Sequence, residues 1–276
     1  MSGTGKAGCG KRRLLVVRPG ALGDTLLLAP ALRAALHSRS VQTAAVIGTM
    51  PYARLLKLLV PGVAAVSYDQ YNTGASAPDD PAAGADVLAF LGERPGDDPF
   101  IRKGARSVLW KRARPEPERI HAAEYLYRCI REVVPDAGRL SREPFRITPL
   151  PDPPTRPPYA VIAPGAGSAG KRLPLERFLE IAEGVERSGM KVLFVVGEAE
   201  VADGLTERLP ENACKIVAPE VERLAGVIAG AARVYANDSG VGHLAGLLGV
   251  DTVSFFGPTD PEVWQPWGGN VRVERF

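Results

Sequence analysis

The segment Asn237-Asp238-Ser239-Gly240-Val241-Gly242-His243 gathers groups that can hold an anion. It follows the apolar run RVYA and opens the helical pattern GHLAGLL, so a hydroxyl, an imidazole and several main-chain N–H groups collect at one helix start. A helix start carries partial positive charge and unpaired N–H donors, which is why phosphates bind there. The plainer alternative is that Asp238 or Ser239 only caps the helix and the glycines only permit a tight turn. Two glycines and a histidine at one helix start exceed what a cap requires, which favours anion binding.

A second cluster is Gly165-Ala166-Gly167-Ser168-Ala169-Gly170-Lys171-Arg172. It fits GxGxxG literally, but Pro174 marks the helix start several residues later, so the glycines stay in a loop instead of packing into a helix. It also fits GxxxxGK, yet Arg172 stands where a phosphate-binding loop needs a hydroxyl for magnesium. What survives is a flexible loop after a strand with two cations ahead of a helix. It can hold a phosphate through N–H groups and charge, or it is a turn with two solvated cations. The third cluster, Arg18-Pro19-Gly20-Ala21-Leu22-Gly23-Asp24-Thr25, joins the first strand to the first helix. Asp24 as a helix cap is the simpler reading; as a general base facing a cleft it could take a proton from a hydroxyl. His37 and His121 read as structural, and no GxSxG, HExxH or EF-hand pattern occurs.

The elements that carry these clusters alternate between strand and helix. LLVV, QTAAVIG, AAVSYD, DVLAF and SVLW read as strands, with helices at TLLLAPALRAALHSR, PYARLLKLL and ERIHAAEYLYRCIREVV. Pro30 should break or kink the first of these helices. Tyr71 to Asp98 is rich in Gly, Pro and Asp and reads as a long surface excursion. PLPDPPTRPP is the sharpest compositional break and reads as a linker. After it come YAVIA, a helix from Leu173 to about Ser188, KVLFVV, a helix near Val201 to Leu209, CKIVA, a helix near Val221 to Ala231, RVYAN, a helix from Gly242 to Leu248, and TVSFF. The reading is α/β with mostly parallel sheets: a flexible leader at 1–10, a first Rossmann-like domain at 11–148, a linker at 149–158 and a second Rossmann-like domain at 159–276. Ligands of such sheets bind outside the carboxyl ends of the strands.

Composition restricts the class. The chain has 276 residues, 45% of them hydrophobic and 24% charged, as in an ordinary globular protein. A formal charge of +3, read as evenly spread, gives no argument for nucleic acid. Cys9, Cys129 and Cys214 lack any metal-ligand spacing and read as reduced thiols in a cytoplasmic protein. The apolar run after Lys11, Arg12 and Arg13 is too short for a signal peptide or membrane span, which leaves contact with the inner membrane surface as a peripheral option.

Together VVRPGALGDTLLLAPALRAAL, APGAGSAGKRLPLERFLEIA and NDSGVGHLAGLLGVDTVSFFGPTDP resemble glycosyltransferase family nine, the lipopolysaccharide heptosyltransferases, in order and spacing. The resemblance implies a GT-B fold with an amino-terminal acceptor domain and a carboxyl-terminal domain for an ADP-sugar. It implies inverting transfer of a sugar, by default heptose, to a glycan or glycolipid acceptor of the cell envelope, with neither metal nor further cofactor. Asp24 matches the aspartate of the family's GD motif, the proposed base, with Arg18 and Gly23 on the same acceptor-side loop. Lys171 falls where the family has a phosphate-binding lysine, and Asp238, Ser239, Gly240 and His243 match its diphosphate segment. The glutamate expected at the donor ribose is best matched by Glu200, with Glu198 as alternate. The first domain reads as trimmed between Tyr71 and Ile101, and little follows TVSFF where family members usually have a helix crossing back to the first domain. Two rival readings are a non-catalytic nucleotide- or partner-binding relative and a nicotinamide-dependent oxidoreductase using GAGSAG.

Overall fold

The computed structural model describes residues 11–72, 80–147, 155 and 158–276. The expected leader and nearly all of the expected linker lie outside the described residues. The first half contains β1 (Arg12–Val17), α1 (Leu22–Leu26), α2 (Ala29–Leu36), β2 (Val41–Gly48), α3 (Met50–Leu59), β3 (Val63–Ser67), α4 (Tyr68–Asn72), β4 (Ala85–Ala89), α5 (Pro99–Arg102), β5 (Ser107–Trp110) and α6 (Ala122–Val133). The second contains β6 (Tyr159–Ala163), α7 (Leu175–Arg187), β7 (Lys191–Val196), α8 (Glu198–Ala202), α9 (Leu205–Arg208), β8 (Lys215–Val217), α10 (Val221–Ala229), β9 (Arg233–Asn237), α11 (Gly240–Leu248), β10 (Asp251–Phe256), α12 (Pro261–Trp264) and β11 (Val271–Arg275).

Every strand pair is parallel. The first sheet runs β3-β2-β1-β4-β5 and the second β8-β7-β6-β9-β10-β11. In each, the order of connection reverses once, between β1 and β4 and between β6 and β9. Such reversal points open a crevice at the strand ends. The loops after β1, β6 and β9 carry the three clusters described above, so topology brings them to the crevices.

Strands buried on both faces need continuous apolar runs, and LLVV of β1, YAVIA of β6 and VLFVV of β7 supply them. One buried cluster joins the halves, uniting Leu26, Leu28 and Leu32 with Val227, Leu244 and Ala245, while each half keeps a smaller core of its own. Pro30 divides the first expected helix: α1 ends at Leu26 and α2 restarts with the proline in its first turn, where no N–H is needed.

Three expectations need correction. The stretch from Tyr71 to Asp98 is not a surface excursion throughout, because β4 lies inside the first sheet with all five residues buried. Its Asp86 is neutralised by Arg12 and Arg106 and accepts from the Ser107 hydroxyl, and Asp98 caps α5 while accepting from Trp110 Nε1. DVLAF reads as a strand within this stretch, and it is the flanking Gly, Pro and Asp residues that give the wider segment its loop-like composition. The expected helix near Val201 to Leu209 is two short ones, because Gly204 adopts a left-handed φ of 70° between them. Finally, β10 is not the last strand: β11 extends the sheet, and the segment leading to it returns to the first half. There Trp267 Nε1 donates to Ser141 O, His121 Nε2 to Gln265 O, and Arg119 pairs with Asp260.

His121 is structural, as read, and its Nδ1 accepts from Ala123 N at the start of α6. Burial lowers its pKa to about 4, with Arg142 and His243 opposing protonation and the Gln265 bond and Glu124 favouring it. The unfolded chain therefore takes up a proton near pH 6.5 that the folded chain refuses until about pH 4. Stability from this group is present above pH 6.5 and is lost as the pH falls toward 4, on the order of 3 kcal/mol in all. His121→Asn, which retains a capping oxygen, should flatten the decline of Tm between pH 7 and pH 4; an unchanged slope would assign the acid sensitivity elsewhere.

Candidate active site

A cleft of about 750 Å³ opens between the halves, and every sequence-predicted site residue except Arg18 lines it. From the first half come Gly23 and Asp24 with Tyr52 and Arg114; from the second come Gly165, Lys171, Glu198, Glu200, Asp238, Ser239, Gly240 and His243. The halves meet through α1 and α11, whose glycines permit close approach. A Cβ on Gly23 would stand 2.7 Å from His243 Cδ2, and one on Gly240 would stand 2.7 Å from Leu22.

Asp24 does not cap α1: Ala21 holds the cap position and Asp24 lies three residues further on. Its side chain is 36% exposed, and Oδ1 stands 3.6 Å from Arg18 Nη2. Neither Asp238 nor Ser239 caps α11 through its side chain. The Asp238 carboxylate instead accepts from Lys171 Nζ and from the Thr259 hydroxyl, both at 2.7 Å. An acidic residue in the cleft wall thus serves to hold a lysine in place. Ser239 Oγ and His243 Nδ1 are buried without a hydrogen-bond partner, so two polar atoms at this helix start are unsatisfied by the protein.

His243 Nε2 lies 3.8 Å from Asp238 Oδ1. Burial holds the imidazole pKa below its ordinary value, partly offset by Asp238 and Asp24, while Lys171 adds to the lowering. An arriving diphosphate would shift that balance toward the cation.

Lys171 and Arg172 part company. Lys171 faces the cleft, whereas Arg172 pairs with Asp203 at 2.6 Å and stands 3.6 Å from Glu200 Oε1. Glu200 is buried and accepts from Gly197 N at 3.1 Å as the first turn of α8 closes, and its carboxyl group packs where a Cβ on Gly165 would fall. A carboxylate has about four acceptor positions, so this cap leaves capacity toward the cleft.

Several contributions went unassigned at the sequence level, even where the residue lay within a quoted segment, as Asn237 did. Asn237, fully buried, donates to Pro164 O and Gly165 O and accepts from Leu173 N, tying the loop after β6 to the end of β9. Thr259 lay within a quoted motif, but nothing local indicated that it would reach Asp238. Ala218, after β8, adopts φ 43° in the cleft wall, a left-handed conformation uncommon for a residue with a side chain. Among the described residues no group of three or more His, Cys, Asp or Glu side chains could hold a metal ion.

The glycine contact gives a direct test. Gly23→Ala places a methyl against the His243 ring, and overpacking of this kind costs about 1–3 kcal/mol, more than the gain in helix propensity of up to about 1 kcal/mol. The variant should melt a few degrees lower; unchanged melting would show that the α1–α11 contact yields freely.

Two Rossmann-type halves with their strand ends turned toward a shared cleft define the GT-B class of fold. Residues 139–275 match the family model described as glycosyltransferase family 9 (heptosyltransferase). Lipopolysaccharide heptosyltransferase 1 of Pseudomonas aeruginosa is 36% identical over 165 residues, a match that spans 59% of this chain and 44% of that protein. The structure of E. coli heptosyltransferase WaaC with ADP superposes with a TM-score of 0.70 at 19% identity, covering 96% of this chain and 93% of that one. That of E. coli ADP-heptose lps heptosyltransferase II does so with a TM-score of 0.72 at 18% identity, covering 96% and 90%. At such identities the superpositions show a shared fold. Residues 139–275 are thus similar to glycosyltransferase family 9 (heptosyltransferase).

Proposed function

We propose that this protein is an inverting glycosyltransferase that moves a sugar, heptose first among candidates, from an ADP-linked donor to a lipopolysaccharide-core or similar envelope glycan acceptor without a metal. The observation that carries this reading is that the first half brings Asp24 to the shared cleft while the second brings Lys171, His243 and the start of α11. An acceptor hydroxyl gives its proton to Asp24 as its oxygen attacks the anomeric carbon, and the bond from that carbon to the phosphate oxygen breaks with its electron pair on ADP. Inverting displacement needs a base on one face of the sugar and charge stabilisation on the other, and the two halves supply one each. Lys171, the imidazole and the α11 N–H groups take the part a metal plays in other transferases. Glu200, with Glu198 beside it, is suited to the donor ribose.

The acceptor side has its own signature. The charge is not evenly spread: residues 11–147 hold 21 Lys and Arg against 14 Asp and Glu, whereas residues 158–276 hold 11 against 16. A basic acceptor half suits an anionic glycolipid at the cytoplasmic face of a membrane. Among the described residues no helix is long and apolar enough to cross one.

Thermal shift with ADP, UDP, GDP and NADH tests the donor class, and release of ADP from ADP-heptose tests the reaction. ADP should stabilise the protein most. Stabilisation by NADH alone would replace this reading with an oxidoreductase, and ADP binding without turnover on any glycan acceptor would leave a non-catalytic binding protein.

A further inference from the structure

We propose that Arg18 is the positioning residue of the Asp24 carboxylate, a buried guanidinium that binds three loop ends of the first sheet into one platform and sets where the base stands. This rests on the reading of Asp24 as base. Arg18 leaves the carboxyl end of β1 with only 3% of its surface exposed, although it is a charged residue beside an open cleft. Nε donates to the main-chain oxygen of Asp24 at 3.2 Å, and Nη1 donates to Ala113 O, beyond β5, at 2.7 Å. Its third nitrogen, Nη2, faces Asp24 Oδ1 at 3.6 Å, and the guanidinium carbon lies 5.2 Å from the ring centre of Phe90, the residue after β4. One rigid fork therefore grips both the main chain and the side chain of the same aspartate, and anchors that grip on the ends of β4 and β5.

A buried cation persists only where its donors are satisfied. Here burial opposes the charge most, Asp24 is the group that most favours it, Tyr125 and Cys129 favour it less, and Arg114 opposes it. Lysine keeps the charge but cannot reproduce a planar fork with donors in three directions. Arg18 itself does not line the cleft, so its effect on chemistry runs through Asp24.

The test is a double-mutant cycle on ADP release from ADP-heptose, with ADP affinity measured separately. Arg18→Lys should lower kcat at least roughly tenfold, since displacement of a reacting group by about 1 Å can cost 10²-fold, and should leave ADP affinity unchanged. On an Asp24→Asn background the same substitution should cost nothing further. Asp24→Glu, which carries the carboxylate past the grip of Arg18 at a partly exposed position, should lose kcat to a similar degree and remains informative if Arg18→Lys does not fold. Equal kcat losses from Arg18→Lys with and without Asp24, or an Asp24→Glu enzyme as fast as wild type, would overturn the proposal. Full activity in Asp24→Asn would instead remove the base reading beneath it.

Discussion

Asp24→Asn should reduce turnover of the ADP-linked donor by roughly 10² to 10⁴ while the protein folds and binds ADP as before. The size follows from the chemistry proposed for the carboxylate: proton removal in the transition state affects kcat, whereas the groups proposed to hold the diphosphate line the cleft from the other half. Its neighbours make the substitution a mild one structurally. The side chain is partly exposed, caps nothing, and makes one long ion pair with Arg18, whose two carbonyl bonds survive the change. Steady-state kinetics with calorimetric ADP titration separates the effects. Retained turnover would remove Asp24 as base, and a parallel loss of ADP affinity would give it a role in donor binding instead.

The second large effect is expected from Lys171→Ala. Loss of a charge-assisted hydrogen bond to a phosphate costs about 1.5–3 kcal/mol, roughly ten- to a hundredfold in Kd. More is expected here because Lys171 also neutralises Asp238, which is buried in the cleft wall and would then face the diphosphate with the Thr259 hydroxyl and the His243 imidazole beside it but no lysine. Lys171→Ala/Asp238→Asn should therefore bind ADP better than Lys171→Ala alone, although it lacks a further ionic group. If the double variant is no better, Asp238 does not act through Lys171; if the single variant binds like wild type, the phosphate lies elsewhere.

The clusters that build this site were legible because each depends on local properties. A strand, a loop with glycines and a helix start can be recognised from neighbours along the chain, and the helix start at Gly240 predicts anion binding before any coordinates exist. The capping alternatives were equally local, and the structure removed them: Ala21 stands at the cap of α1, and Asp238 turns from α11 toward Lys171. No local rule distinguishes those outcomes, because the competing partner lies 67 residues away. Similarly, the signal that marked Glu200 as a ribose ligand came from resemblance, whereas its capping of α8 and its contact with Gly165 needed coordinates.

By itself the sequence determined the alternation of strands and helices, the buried parallel character of the sheets and the three loops that carry polar chemistry, since apolar periodicity and glycine placement act over a few residues. Only tertiary structure decided that α1 and α11 touch through their glycines, that Asp238 restrains Lys171, and that Arg18 is buried behind Asp24 instead of exposed in the cleft. Those outcomes depend on the order of strands in two sheets and on the fit of one half to the other. Both are set by packing between residues far apart in the chain, which no window of sequence contains.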